Sequence, residues 1–174
     1  MHAVITAGRI EAQQVRIFAS NRLVVVVSPT SHVAINTLTD LASPTAKIIL
    51  ADTSVPAGQY ALQFLQQAAA DPAYGPAFEQ AVLARVVSYE ENVRNVLSKV
   101  GLGEADAGIV YTSDAITQSQ LRQIAIPDSL NVQARYSIAT LSESKQRAVA
   151  ERFVAFVLSE SGQQILANAG FGAP

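Results

Sequence analysis

Residues 23–27 read Leu-Val-Val-Val-Val, a continuous apolar run that ends at Ser28-Pro29. Such a run, mainly β-branched and without polar residues at alternate positions, predicts a β-strand that is buried on both faces. Similar segments predict further strands at residues 47–51, 107–111, 124–126 and 135–141, and a short strand or extended link at 85–88. Apolar residues spaced three and four apart predict helices at 56–68, 78–83, 93–100, 144–158 and 161–169. Strands that alternate with helices indicate the α/β class, with a mainly parallel sheet and helices on both faces.

The composition excludes several classes of protein. Of the 174 residues, 49% are hydrophobic and only 15% are charged, so the chain is not intrinsically disordered. A net charge of −2 gives no basic face for nucleic acid, and we expect no nucleic-acid partner. The absence of cysteine excludes disulfides and thiolate metal sites. No apolar run is long enough to cross a membrane, and the N-terminal residues lack the pattern of a secretory signal.

The motifs of enzymes are missing. The sequence contains no G-x-S-x-G elbow, no H-E-x-x-H pair and no Walker loop. Glu90 and Glu91 suggest an acid/base pair, but adjacent residues of a helix do not face each other. We therefore interpret them as two acids in the first turn of a helix, where they favour the helix dipole. His32 is interpreted as a surface histidine, and we expect no enzymatic activity.

Three features at predicted strand ends are suited to binding an anion without a charged side chain. Residues 52–58 lead from a strand into a helix, and the helix of Val93 begins in a similar way after residue 88. The first amides of a helix lack intrahelical acceptors and lie at the positive end of the helix dipole. Tyr111 ends a third strand and carries a hydroxyl that can donate. Each feature alone is common in α/β proteins, but all three fall at similar positions of one predicted sheet.

Four stretches of the chain resemble the molybdate-binding proteins of ABC importers, and the resemblance extends from Met1 to Phe171. The stretches are FASNRLVVVVSP (18–29), ADTSVPAGQYA (51–61), SYEENVRNVLSKVGLGEADAGIVYTSDA (88–115) and FVAFVLSESGQQILANAGF (153–171). The resemblance implies a two-lobed type II periplasmic-binding-protein fold and a substrate-binding component that delivers molybdate or tungstate to a membrane permease. It implies a location outside the cytoplasm, no cofactor, and no metal other than the molybdenum of the oxyanion.

The resemblance also implies which groups bind the ligand. In the family, neutral hydrogen-bond donors hold the oxyanion. Carried over to this chain, the donors are the backbone amides of Ala57 and Val93 and the hydroxyl of Tyr111. Selection against sulfate would then depend on the size of the cavity. For Val93 the local pattern conflicts with this role, because Ser88 and Glu91 form a capping-box pattern that predicts an earlier helix start.

The chain departs from the family at its beginning. Two serine-bearing loops that supply further donors in the family have no counterpart here, and we expect an N-terminal truncation that also removes the export signal. Residues 22–136 would form one complete three-layer α/β lobe, while 1–21 and 137–174 would be hinge crossings and remnants of an incomplete first lobe. Half of the site would be present, so we expect weak molybdate binding or none. Apolar residues of the remnant would lack cover and favour self-association: Val149, Phe153, Phe156 and Leu166.

A second hypothesis remains open. The same fold serves as the oxyanion-sensing effector domain of transcription regulators, in which a ligand alters DNA binding by an attached helix-turn-helix. The lack of an export signal would agree with this hypothesis. No DNA-binding element is present in these residues, and the chain begins within a lobe rather than at a domain boundary.

Overall fold

The computed structural model describes residues 1–174 and contains seven strands and seven α-helices. The strands are β1 (Arg16–Asn21), β2 (Leu23–Val27), β3 (Ile48–Ala51), β4 (Val86–Glu90), β5 (Ala107–Tyr111), β6 (Arg122–Ala125) and β7 (Ala134–Ile138). The helices are α1 (His2–Thr6), α2 (Pro56–Ala70), α3 (Phe78–Leu83), α4 (Val93–Gly101), α5 (Thr112–Ala115), α6 (Arg147–Leu158) and α7 (Glu160–Asn168). The predicted α/β class is confirmed.

The main sheet has five strands in the order β4-β3-β5-β2-β6 and is mixed. Strand β3 runs parallel to both β4 and β5, whereas β2 runs antiparallel to β5 and β6. The prediction of a mainly parallel sheet was therefore wrong for β2. A continuous apolar run reports burial on both faces and says nothing about strand direction, so the pattern of residues 23–27 could not show this.

Strand β2 has a layer of helix on each face, and all five of its residues are buried. Leu23, Val25 and Val27 pack in one cluster with Phe64 and Leu65 of α2. The other two residues of β2 pack in a second cluster with residues of α4: Val96, Leu97 and Val100. The burial of alternate side chains on opposite faces is what the pleat of a strand requires, and it yields three layers.

The chain forms two compact units. The central unit comprises residues 22–133 and contains the five-stranded sheet. The terminal unit comprises residues 1–21 and 134–174, in which β1 pairs antiparallel with β7. In the terminal unit the ring of Tyr136 contacts Phe18 and Phe171 at centroid distances of 6.2 and 5.6 Å.

The helices of the terminal unit expose apolar side chains. No residue of α6 is buried, and Val149, Phe153 and Phe156 are 51%, 60% and 49% exposed. In α7, Ile165 is 58% exposed and Leu166 is half-buried. None of the helices in the chain combines the length and the hydropathy that a membrane crossing requires.

Candidate anion-binding site

The three predicted donors lie at the carboxyl ends of three neighbouring parallel strands. Ala51 of β3 pairs with Glu90 of β4, and Ile49 of β3 pairs with Gly108 of β5, so the strands end at nearly the same level. Strand β3 leads into Ala57, β4 leads into Val93, and β5 ends at Tyr111. Because neighbouring strands lie about 4.8 Å apart, the three residues share one edge of the sheet. This edge is where ligands bind in open α/β sheets.

The turn between β3 and α2 leaves the amide of Ala57 without an acceptor in the chain. Val55 is the N-cap residue, and Pro56 at the first helical position has no N–H. The next amide, of Ala57, donates no hydrogen bond, whereas that of Gly58 donates to the Val55 carbonyl at 3.1 Å. The side chain of Ala57 is buried in the cluster beneath the helix, which fixes the position of its amide.

Gly58 allows the first turn of α2 to approach the end of β3. A Cβ atom at this position would lie 2.2 Å from the carbonyl oxygen of Asp52 and 2.5 Å from that of Ala51. Asp52 itself closes the turn, since its carboxylate accepts a hydrogen bond from the Ser54 amide at 2.8 Å. The Ser54 hydroxyl and amide also hold the pKa of Asp52 below its usual value.

The turn between β4 and α4 settles where the helix begins. Asn92 is the N-cap residue, its side-chain oxygen accepts from the Asn95 amide at 3.0 Å, and Val93 is the first helical residue. The capping box predicted from Ser88 and Glu91 was therefore wrong, because Ser88 lies within β4. As the first helical residue, Val93 has an amide that donates no hydrogen bond within the chain.

Glu90 and Glu91 do not lie in the first turn of a helix, contrary to the interpretation from sequence. Glu90 ends β4 and is 7% exposed, and its carboxylate accepts from the Ser88 hydroxyl and from Lys99 Nζ, each at 2.6 Å. These two hydrogen bonds, that of Lys99 first, lower the pKa of Glu90, although burial opposes the shift. Sequence reasoning missed this ion pair, since its partners are nine residues apart and on different elements.

Tyr111 connects the end of β5 to the first turns of α2. Its ring contacts that of Tyr60 edge to face, with centroids 6.5 Å apart and an interplanar angle of 74°. Tyr60 follows Ala57 by three residues and therefore lies on the same face of α2. Tyr111 also packs against the apolar cluster that holds Ala57 and supports Val93. One cluster thus positions all three predicted donors.

Besides Asp52, Glu90 and Glu91, two further ionisable residues lie close to this edge. Arg94 follows Val93 in α4, and Asp114 lies in α5 just after Tyr111. Burial raises the pKa of Asp114, and the positive charge of Arg94 partly opposes that shift. No group of three histidine, aspartate or glutamate side chains in the chain could hold a metal ion, and His32 is exposed. The edge therefore offers two helix-start amides and a phenol, which are neutral donors suited to an anion.

Comparison with known proteins shows which proteins this chain is similar to. The molybdate-binding protein ModA of Mycobacterium tuberculosis is 32% identical over 175 residues, which span 100% of this chain and 62% of that protein. A structure described as the substrate-binding domain of a molybdenum ABC transporter from Clostridium difficile has a TM-score of 0.82 and 25% identity, with coverage of 100% and 72%. The periplasmic molybdate-binding protein of Azotobacter vinelandii has a TM-score of 0.75 at 18% identity, with coverage of 99% and 74%. At that identity the likeness concerns the fold alone.

The mixed α/β sheet and these structural neighbours define a binding protein of the periplasmic type. Residues 1–172 match the model of the bacterial extracellular solute-binding proteins, and the chain belongs to that family. It spans less than two thirds of the length of the Mycobacterium relative.

Proposed function

We propose that this chain is the substrate-binding component, or part of it, of an ABC importer for molybdate or tungstate. The observation that carries the proposal is the alignment of Ala57, Val93 and Tyr111 at the ends of three neighbouring parallel strands. The names of the relatives support molybdate as the ligand. The proposed partner is a membrane permease, and the proposed location is outside the cytoplasm.

In this proposal the ligand is a tetrahedral dianion that accepts hydrogen bonds from neutral groups. The amides of Ala57 and Val93 each donate to one oxygen, at the positive ends of two helix dipoles. The hydroxyl of Tyr111 donates to a further oxygen. No cationic side chain is required, so the dianion can be held and still be released.

These three donors make up only part of a full oxyanion site. All of them belong to the central unit. A hydrogen bond to a charged group contributes about 1.5–3 kcal/mol, so three such bonds at the lower value correspond to a Kd of about 0.5 mM. We therefore propose that the 174 residues bind molybdate weakly. Relatives with a complete set of donors would bind it more tightly.

Isothermal titration calorimetry with molybdate, tungstate and sulfate tests this function. We expect weak, saturable binding of molybdate and tungstate and no binding of sulfate at the same concentrations. Equal binding of all three anions, or no response to molybdate at about 5 mM, ten times the expected Kd, would contradict the assignment. Nanomolar binding would instead show that the site in these residues is complete.

Self-association through the terminal unit belongs to the same proposal. Its helix α6 has no buried residue and exposes Val149, Phe153 and Phe156. Exposed apolar side chains that cluster on one element favour association with another surface. A second copy of the chain is the occupant that this proposal implies in a purified sample.

A further inference from the structure

Glu90 is the one ionisable residue that the chain buries. The other buried polar residues are Ser20, Asn21 and Ser28, none of which carries a charge. Burying a carboxylate is costly, even beside the partly exposed Lys99, and apolar residues of similar size often stabilise a protein as well or better. Stability alone therefore does not account for a charged pair at this position.

The contacts of Glu90 reach both turns that carry the proposed donor amides. Its carboxylate accepts from Lys99 Nζ at 2.6 Å, and Lys99 lies in α4, the helix that begins at Val93. Its backbone carbonyl accepts from the Asp52 amide at 2.7 Å, and Asp52 begins the turn that leads to Ala57. One residue is thus bonded through its side chain to one donor-bearing element and through its backbone to the other.

The link between β4 and α4 is short, so the ion pair between Glu90 and Lys99 restricts how α4 can move relative to β4. Only Glu91 and Asn92 separate the last residue of β4 from the first residue of α4. The ion pair is a second connection between α4 and β4. It lies away from the link itself, because Lys99 is six residues beyond Val93, about 9 Å along the helix. The hydroxyl of Ser88 donates to the same carboxylate at 2.6 Å and fixes its rotamer. Helix α4 is therefore held to the end of β4 at both of its ends, by the two-residue link before Val93 and by Lys99 in its last turn.

We propose that Glu90 and Lys99 are positioning residues that hold the Val93 amide level with the Ala57 amide. The inference rests on the proposed function, since it assigns the ion pair to the geometry of the oxyanion site. Neither residue touches the anion. They act through the backbone, by fixing the direction in which the first amide of α4 points.

The test compares four variants with the wild-type chain by NMR. Glu90→Gln and Lys99→Gln break the ion pair, and Lys99→Arg keeps the positive charge. The control is Asp40→Asn, which also removes one carboxylate from the central unit. Asp40 caps the 3₁₀ turn at residues 38–42, between β2 and β3, through the amides of Asn36 and Thr37. This variant perturbs the fold without touching the β4–α4 link.

The first readout needs no ligand. In Glu90→Gln and Lys99→Gln we expect the backbone order parameter of Val93 to fall while that of Ala57 is unchanged, because only the β4–α4 link is released. Lys99→Arg is expected to restore it, and Asp40→Asn to leave both amides as in the wild type. An unchanged order parameter at Val93 in both Gln variants would overturn the inference, whether or not the chain binds molybdate.

The second readout is a titration with molybdate that follows each amide separately. We expect the shift of the Val93 resonance at saturation to shrink in Lys99→Gln while that of Ala57 persists, and the Kd to rise about threefold to tenfold, less than the loss of one whole hydrogen bond to a charged acceptor. If the shifts of Val93 and Ala57 shrink equally in Lys99→Gln, and Asp40→Asn has the same effect, the role of the ion pair is merely structural and the inference is overturned. If the wild-type chain shows no response to molybdate, the proposed function fails, and the ligand-free readout still decides the positioning role.

Discussion

At the scale of single residues, Tyr111 is the proposed side-chain donor, while Ala57 and Val93 act through their backbones. A backbone donor cannot be removed by an ordinary substitution, so the phenol is the group on which chemistry can be tested directly. Tyr111 ends a strand whose other four residues are buried, and its ring rests against Tyr60. Phenylalanine can keep both the strand and the ring contact.

We predict that Tyr111→Phe weakens molybdate binding about tenfold or more, because one hydrogen bond to a charged acceptor contributes about 1.5–3 kcal/mol. Calorimetry or an NMR titration measures the change. Tyr74→Phe is the matched control, since it removes a phenol from the same unit while the ring stays against Phe78. Equal Kd values for Tyr111→Phe and the wild type would remove Tyr111 from the site.

Gly58 offers a second test at this scale. We predict that Gly58→Ala destabilises the chain by about 1–3 kcal/mol, as overpacking does, because the new methyl group would lie 2.2 Å from the Asp52 carbonyl oxygen. Urea unfolding followed by circular dichroism measures the loss. Gly101→Ala is the control, since nothing lies within 4 Å of its added methyl group and we expect no destabilisation. Similar unfolding midpoints for Gly58→Ala and the wild type would show that the turn is not constrained as described.

At the scale of elements, the sequence patterns predicted most positions correctly. The predicted helix at 78–83 and strand at 107–111 match the structure residue for residue. Strand β1 was not predicted, because only its second half is buried and Arg16–Asn21 has no continuous apolar run. The prediction of a helix start at Ser88 was wrong because a capping-box pattern is local. Pairing of β4 with β3 instead draws residues up to Glu90 into the strand, and Asn92 then caps the helix.

The site was predictable to the same extent. The elements that carry Ala57, Val93 and Tyr111 follow from strand ends and helix starts, which the pattern of residues reveals. The ion pair between Glu90 and Lys99 does not, because it depends on how α4 packs against the end of β4. The direction of β2 was equally hidden, since residues 23–27 would look the same in a parallel strand.

The β4–α4 ion pair makes stability depend on pH. The pKa of Glu90 is lowered from 4.5 by its hydrogen bonds, so its contribution is present at neutral pH and is lost as pH falls through the lowered value. The pKa of Lys99 is raised from 10.5, first by the same hydrogen bond, so its contribution is lost only as pH rises beyond the raised value.

We therefore predict that Glu90→Gln lowers the free energy of unfolding by about 1.5–3 kcal/mol at neutral pH, the range for hydrogen bonds to charged groups. The difference from the wild type should shrink below pH 4.5. Urea unfolding at a series of pH values measures this. A constant difference between neutral and acid pH would contradict the assignment of a charged, bonded Glu90.

At the scale of the whole molecule, the two units differ in how completely they bury apolar residues. The central unit buries β2 between two layers of helix, with clusters on both of its faces. In the terminal unit no residue of α6 is buried, and Phe153 is 60% exposed. The proposed donors all lie in the better packed unit.

We predict that the purified chain associates through α6, and sedimentation velocity over a range of concentrations measures this. Phe153→Asp is expected to weaken the association because it places a charge in the apolar surface. It should cost little stability, since Phe153 is mostly exposed. A compact monomer at all concentrations would contradict the prediction.

The claim that Ala57 and Val93 present helix-start amides to a tetrahedral oxyanion is tested most directly by NMR. Amide resonances of an isotope-labelled chain are followed as molybdate is added, with sulfate as the comparison. We expect saturable shifts at Ala57 and Val93, with the same Kd, which sulfate does not reproduce. Shifts confined to other residues, or equal shifts with sulfate, would contradict it.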